Sequence, residues 1–219
     1  FDSAIEKIMD RMKISAVDKE KQEHEIIQFE KLADYRGSEF LQPLFSACSE
    51  KRVIELSYLK FTSREPSSYV FAPYLLKEYR NRWYAIGQDC NSELTRTFAL
   101  DRIQKLAPSD QKPPAKKSFD AHQFFEHAIG ITVTDEQPEL VELHFSARFA
   151  PYIITQPIHK SQKIVWLKSG ELKVTIDIQV TIEVVSTILG FGDDVKVVIP
   201  NDLKNKVKLG LTKCLEHYK

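Results

Sequence analysis

Two arginines and an aromatic ring stand close together near the middle of this chain. Thr95-Arg96-Thr97-Phe98-Ala99-Leu100 reads as a strand, and side chains repeating every second residue put Arg96, Phe98 and Leu100 on one face. Asp101-Arg102-Ile103 then leaves the strand end. A guanidinium is a planar fork of donors that matches phosphate oxygens two at a time, and an aromatic face stacks bases. Arginine beside aromatic on a sheet is therefore what a nucleotide or single-strand site needs. Spacing alone favours a plainer arrangement, a surface arginine paired with Asp101 or Glu93.

The neighbouring strand, Arg82 to Gly87, adds Trp83 and Tyr84, and the polar cluster Asp89–Ser92 between the two strands is a hairpin loop. Consecutive strand residues face opposite sides, so one ring points to the core and the other away; Trp83 is expected inside, while Tyr84 fits either side. Tyr58 points the same way as Ile54 and Leu56, as a core tyrosine with its hydroxyl at the mouth of a small barrel.

Bond-breaking chemistry finds no comparable set. The six histidines lack the helical ligand spacings of metalloenzymes, and His122 and His127 are five apart, which is wrong for one helix face. There is no nucleophile elbow, and no phosphate-cradling or dinucleotide glycine pattern; Gly190-Phe191-Gly192 lacks the third glycine and the following helix. Asp193-Asp194 reads as a solvated turn. No catalytic residues, metal or cofactor are expected, and the chain is read as a non-enzyme. Cys48, Cys90 and Cys214 are odd in number and far apart, which suits a reducing, cytoplasmic compartment. Cys48 and Cys214 fall on apolar helical faces and are expected as buried thiols.

Around these residues the chain has 219 residues, 42% hydrophobic and 28% charged, the balance of a folded globular protein. No apolar run approaches the roughly 20 residues of a membrane span. Basic and acidic residues number 31 each, so the whole chain lacks the excess positive charge of a nucleic-acid binder. The distribution is less even: residues 1–50 carry 7 Lys/Arg against 11 Asp/Glu, and residues 51–105 carry 10 against 6. Positive charge gathers on the segment holding the hairpin, a modest pointer to an anionic ligand.

In chain order, helical spacing of Ile5, Ile8, Met9 and Met12 predicts a helix over residues 3–12, and Glu39–Ser49 a second with Phe40, Leu41, Leu44, Phe45 and Cys48 inward. Period-two strands follow at Ile54–Tyr58 and Tyr69–Leu75, the latter placed at an edge, or ending there, by Pro73. With the hairpin they make four or five short antiparallel strands, as in a small barrel or strongly bent sheet. The Pro/Lys/Ser-rich stretch from Ala107 to Ser118 marks a domain boundary. Beyond it come a short helix over Ala121–Ala128, a strand through Val141, Leu143 and Phe145, a helix over Arg148–Ile154, and a hairpin turning at Ser169-Gly170. A helix through Ile182–Leu189, a strand at Val195–Ile199 and a closing helix with Val207, Leu211, Cys214 and Leu215 inward complete it. The order β-α-β-β-α-β is the ferredoxin-like split pattern.

The hairpin resembles the signature of the WYL-domain family, the ligand-sensing module of many bacterial transcription regulators. The match stands at Trp83-Tyr84-Ala85, with Ala85 in place of the leucine that names the motif, and at Arg96-Thr97-Phe98-Ala99-Leu100-Asp101-Arg102-Ile103. Ile54–Tyr58 and Ala72–Lys77 are similar to the family's first two strands. His144–Tyr152, Ile158–Gln162 and Leu189–Pro200 resemble the extension that follows such domains. The resemblance implies an α+β protein: linker helices over residues 1–50, an Sm/SH3-like β-barrel over 51–107 and an α/β extension over 119–219. It also implies homodimers and an N-terminal winged helix-turn-helix that reads duplex operator DNA. No such reader is legible here, and Phe1 in place of Met suggests a processed chain or part of a longer regulator. Carried over residue by residue, the family's ligand pocket falls on Tyr58, Trp83, Tyr84, Arg96, Phe98 and Arg102, while Arg148 matches an arginine that in relatives reaches a neighbouring pocket.

The expected function is thus effector sensing, with an anionic ligand such as single-stranded nucleic acid or a nucleotide controlling DNA binding by the N-terminal domain. The alternative is a dimerisation or interaction module without a small ligand. An enzyme acting on nucleotides is the weakest reading.

Overall fold

A computed structural model of the chain describes residues 36–114 and 119–219. The helix expected over residues 3–12 lies outside them. The described residues fall within one compact α+β unit built on two antiparallel sheets.

The first sheet contains β1 (Ile54–Tyr58), β2 (Ser67–Tyr79), β3 (Arg82–Asp89), β4 (Thr95–Ala99) and β5 (Ile103–Pro108). Their spatial order is β4-β3-β2-β1-β5. The two outer strands pair only inward, so the sheet is open where a closed barrel was expected. Alternation explains β1 directly: Ile54, Leu56 and Tyr58 are buried, while Glu55 is exposed and Ser57 half-buried between them. Helix α1 (Leu41–Ser49) covers this face with Leu44 and Ala47. Phe45, expected inward, is exposed, because the stripe actually buried is Leu44 and Ala47, three residues apart.

Pro73 corrects a second expectation. It lies within β2, which runs on to Tyr79 and is central to the sheet, but β1 reaches only as far as Phe71, so at Pro73 the strand is paired with β3 alone. A register shift follows it on the β3 side, between Pro73 and Leu75, with Tyr74 as the unmatched residue. Opposite Pro73 stands Gly87, where a side-chain β-carbon would sit 2.1 Å from the Ala72 carbonyl oxygen and 2.7 Å from the Phe71 ring. The strands close on each other only because position 87 is bare.

The second sheet holds β6 (Glu139–Phe145), β7 (Lys163–Trp166), β8 (Leu172–Ile178) and β9 (Val195–Ile199) in the order β7-β8-β6-β9. Helix α2 (Ala121–Phe124) precedes it. Helices α3 (Ala150–Thr155) and α4 (Ile182–Gly190) connect its strands, and α5 (Asn201–Glu216) closes the chain. Val141, Leu143, Phe145, Leu172, Val174, Ile176 and Ile178 form its buried face, against which Ile153, Val184, Ile188, Leu203 and Val207 pack.

On α5 the inward seam is Leu203, Val207 and Gly210, the last set against Leu189 of α4. Leu211 and Leu215, expected inward, are exposed, as is Cys214. The seam repeats at i, i+4 and i+7, which turns residues 211 and 215 off its line. Cys48 is half-buried on α1, and burial pushes its thiol up to about 11. Among the described residues no helix is long and apolar enough to cross a membrane.

These environments separate two of the thiols chemically. The thiolate is the reactive form, so at pH 8 iodoacetamide is expected to label Cys214 well before Cys48 in the folded chain, with the difference lost in denaturant. Peptide mapping by mass spectrometry reads the order; equal labelling of the two would contradict the placement of α5.

Candidate functional site

Phe98 of β4 is the centre of an aromatic cluster. Its ring lies 4.8 Å from Tyr58, 4.9 Å from Tyr69 and 5.0 Å from Phe71, centroid to centroid, and all three meet it tilted or edge-on. Such geometry sets a ring's positive edge against its neighbour's negative face. Tyr58 is 4% exposed, and its hydroxyl does not open outward as expected; it accepts the Ala99 amide N–H at 3.3 Å. Burial, opposed in part by the nearby Arg102 charge, raises the Tyr58 phenol above its ordinary value.

Both arginines singled out in the sequence border this cluster. The Arg102 guanidinium lies 5.2 Å from the Tyr58 ring centre and 4.6 Å from that of Phe61, so two rings bracket it. Phe61, in the loop between β1 and β2, is 76% exposed. Arg102 is held by backbone as well as by rings: it ends the 3-10 turn Leu100–Arg102, and its carbonyl accepts the Leu59 amide at 3.0 Å. Gly37 packs against that turn, with φ +85° and no room for a side chain beside the Leu100 carbonyl. Asp101 is shared loosely, 3.7 Å from Arg82 and 4.0 Å from Arg102. The two atoms of that longer pair, Arg102 Nε and Asp101 Oδ1, are both buried and have no hydrogen-bond partner among the described residues.

Arg96 is differently engaged. It lies 5.7 Å from the Tyr69 ring centre, and its Nε donates to Asp89 at 3.1 Å. The plainer expectation of an ion pair thus holds for Arg96, with Asp89 as partner in place of Asp101 or Glu93. Asp89 also accepts from the Ser92 hydroxyl at 2.6 Å and the Asn91 amide at 3.1 Å. Burial alone would raise the Asp89 carboxyl, but these hydrogen bonds and the Arg96 charge outweigh it and hold the group below its ordinary value. Of the two arginines, Arg102 is the one with no side-chain hydrogen bond among the described residues, whereas Arg96 is tied through Nε to Asp89 and through Nη2 to Ser92.

The remaining candidates divide. Trp83 is half-buried and packs against the core beside Ala85, on the Phe98 side of the sheet. Tyr84 stands opposite Ala99 and Lys77, on the other face. Arg148 is not brought to the cluster: its Nη2 and Nε donate to Asp194 at 2.7 and 3.2 Å, with Asp193 at 3.7 Å. Tyr69, Phe71 and Phe61 were missed. Tyr69 and Phe71 were legible in period-two alternation along β2; Phe61, in a loop, had no pattern to betray it. No group of three or more His, Cys, Asp or Glu suited to a metal occurs among the described residues.

The depressed Asp89 carboxyl stabilises the fold above the unfolded value of about 3.9, and that contribution is lost as pH falls through the lower folded value. Asp89→Asn is expected to lower stability at pH 7 and to flatten its decline below about pH 4, read by urea unfolding across pH. A variant as acid-sensitive as the parent would show that Asp89 is not held as described.

Residues 39–108, containing every element of this cluster, match the WYL domain family, and residues 137–215 match the WCX domain family. Over 79 residues the chain is 32% identical to Protein PafB of Mycobacterium leprae, a stretch covering 35% of this chain and 24% of that protein. The chain thus aligns with about a quarter of the length of that curated relative. Among solved structures, Proteasome accessory factor B/C (PafBC) of Arthrobacter aurescens aligns over 88% of this chain and 29% of its own, with 18% identity and a TM-score of 0.38. A CRISPR Cas-related protein aligns over 83% of this chain and 52% of its own, with 13% identity and a TM-score of 0.51, a likeness of fold. With one domain match on each sheet and the WYL signature at the centre of the first, the chain belongs to the WYL-domain family, carrying a WYL domain followed by a WCX domain.

Proposed function

We propose that this chain is the effector-sensing part of a bacterial transcriptional regulator. Its WYL domain binds an anionic ligand, single-stranded nucleic acid or a nucleotide, and occupancy controls duplex DNA binding by an N-terminal winged helix-turn-helix. One observation carries the reading. Arg102 is held between Tyr58 and the exposed Phe61, its side chain about a quarter exposed and without a side-chain hydrogen bond among the described residues. A phosphate oxygen is answered by the exposed end of that guanidinium, and the open face of Phe61 offers a base a surface to stack on. Arg96, tied to Asp89, tunes the site's charge and contributes less directly.

The rest of the reading is supported by likeness to the family. The strand order of the first sheet supports an Sm-like WYL domain, and the β-α-β-β-α-β succession with order β7-β8-β6-β9 supports a ferredoxin-like extension. The protein works as a cytoplasmic homodimer and catalyses no reaction. A specific observation favours the alternative of a dimerisation module: Ile164, Val165 and Trp166 on edge strand β7, with Leu211 and Leu215 on α5, are exposed.

Fluorescence anisotropy with labelled short single-stranded DNA and RNA separates the two. Saturable binding is expected, with log affinity falling linearly in log salt at a slope of about −0.7 for each phosphate neutralised. Arg102→Glu is expected to weaken it by about a hundredfold or more, since a charge-assisted contact is replaced by repulsion, with circular dichroism unchanged. Equal binding by the variant would remove Arg102 from the site. No binding by the parent chain would leave the dimerisation module as the better reading.

A further inference from the structure

The opposite face of the WYL sheet carries a second groove, of about 590 Å³, that the effector site does not use. Leu75 and Lys77 of β2 form one side; His122 and Phe125, in and just after α2, form another; Ile158 and Lys160, in the turn before β7, close the third. Position 77 pairs with Tyr84, so this is the face turned away from Phe98. The walls are apolar and the polar groups are basic, with no carboxylate among the lining residues. Asp120, next to α2, is turned to its own helix, accepting the His122 and Gln123 amides at 2.9 and 3.1 Å.

Lys77 is the decisive residue. Its ammonium lies 3.8 Å from the centre of the Phe125 ring and has no ion pair among the described residues. Burial lowers its pKa. A partly desolvated cation with a ring beneath it and no carboxylate beside it is oriented but not neutralised. Lys160 likewise has no ion pair among the described residues and adds a second positive charge at the rim. His159 also borders the groove, but its Nδ1 lies 2.8 Å from the Ser161 hydroxyl, and burial lowers its pKa, so it serves as wall and not as cation.

We propose that this groove binds a small organic anion, a compact charged head on an apolar body, with Lys77 and Lys160 holding the head and Leu75, Phe125 and Ile158 the body. The occupant touches β2, the α2 segment and the turn before β7 together. It therefore couples the WYL sheet to the WCX sheet from the side opposite the effector. This site stands independently of the effector reading, since it shares no residue with it.

Isothermal titration of the full chain at low salt tests it with three probes: phenyl phosphate, inorganic phosphate and benzyl alcohol. Phenyl phosphate is expected to bind at least about tenfold more tightly than either fragment, because head and body are held at once. Lys77→Met keeps the stem over Phe125 and removes the charge; it is expected to weaken phenyl phosphate about tenfold or more, and Lys160→Met to weaken it in the same direction. Arg102→Glu is expected to leave the affinity unchanged. The proposal is overturned if phenyl phosphate does not bind, if inorganic phosphate binds as tightly, if both lysine variants bind as the parent does, or if Arg102→Glu abolishes binding.

Discussion

The aromatic contact between Phe98 and its three neighbours is the interaction on which the WYL half depends. Tyr58 comes from β1, Tyr69 and Phe71 from β2, and Phe98 from β4, so one ring ties together strands that are not all adjacent in the sheet. Each pair adds of order 1 kcal/mol beyond the area it buries. The consequence for the site is positional. Arg102 rests on Tyr58 and Arg96 on Tyr69, so the cluster sets where both guanidiniums stand. Gly87 belongs to the same arrangement, since a side chain there would strike Phe71 and the β2 backbone.

Arg96 and Arg102 look equivalent in the sequence and differ in the fold. Arg96 meets a buried, multiply hydrogen-bonded carboxylate, Asp89, and behaves as a structural ion pair. Among the described residues Arg102 meets only a distant, shared Asp101 and two rings. The Arg102 Nε is turned inward toward Asp101, so a ligand oxygen gains most at the exposed end of the guanidinium. The exposed Phe61 beside it makes the site suited to a base as well as to a charge.

Local periodicity made much of this readable. The strand bearing Arg96 and Phe98, the core position of Tyr58, and the succession of strands and helices after residue 139 all follow from spacing two or spacing 3.6. What spacing did not carry came from tertiary contacts. Pro73 is tolerated inside β2 because β1 stops at Phe71, so the strand is paired on one side only where its donor is missing. The α5 seam runs through Gly210, a residue without hydrophobic signal, because α4 approaches there and not at Leu211. Phe61 lies in a loop where no period applies. Trp83 and Tyr84, adjacent in the motif, project to opposite faces of the sheet, and Tyr84 meets Arg82, Asp101 and Arg102 only through their charges.

The central claim is that charge and stacking act together at Arg102 and Phe61. Affinity for a short single-stranded oligonucleotide, set against an abasic strand of the same length and charge, tests it most directly. Stacking on an aromatic platform is worth about 1–3 kcal/mol per base, so the base-bearing strand is predicted to bind roughly tenfold or more tightly. Equal affinity for the two strands would show that the site recognises charge alone and contradict the account.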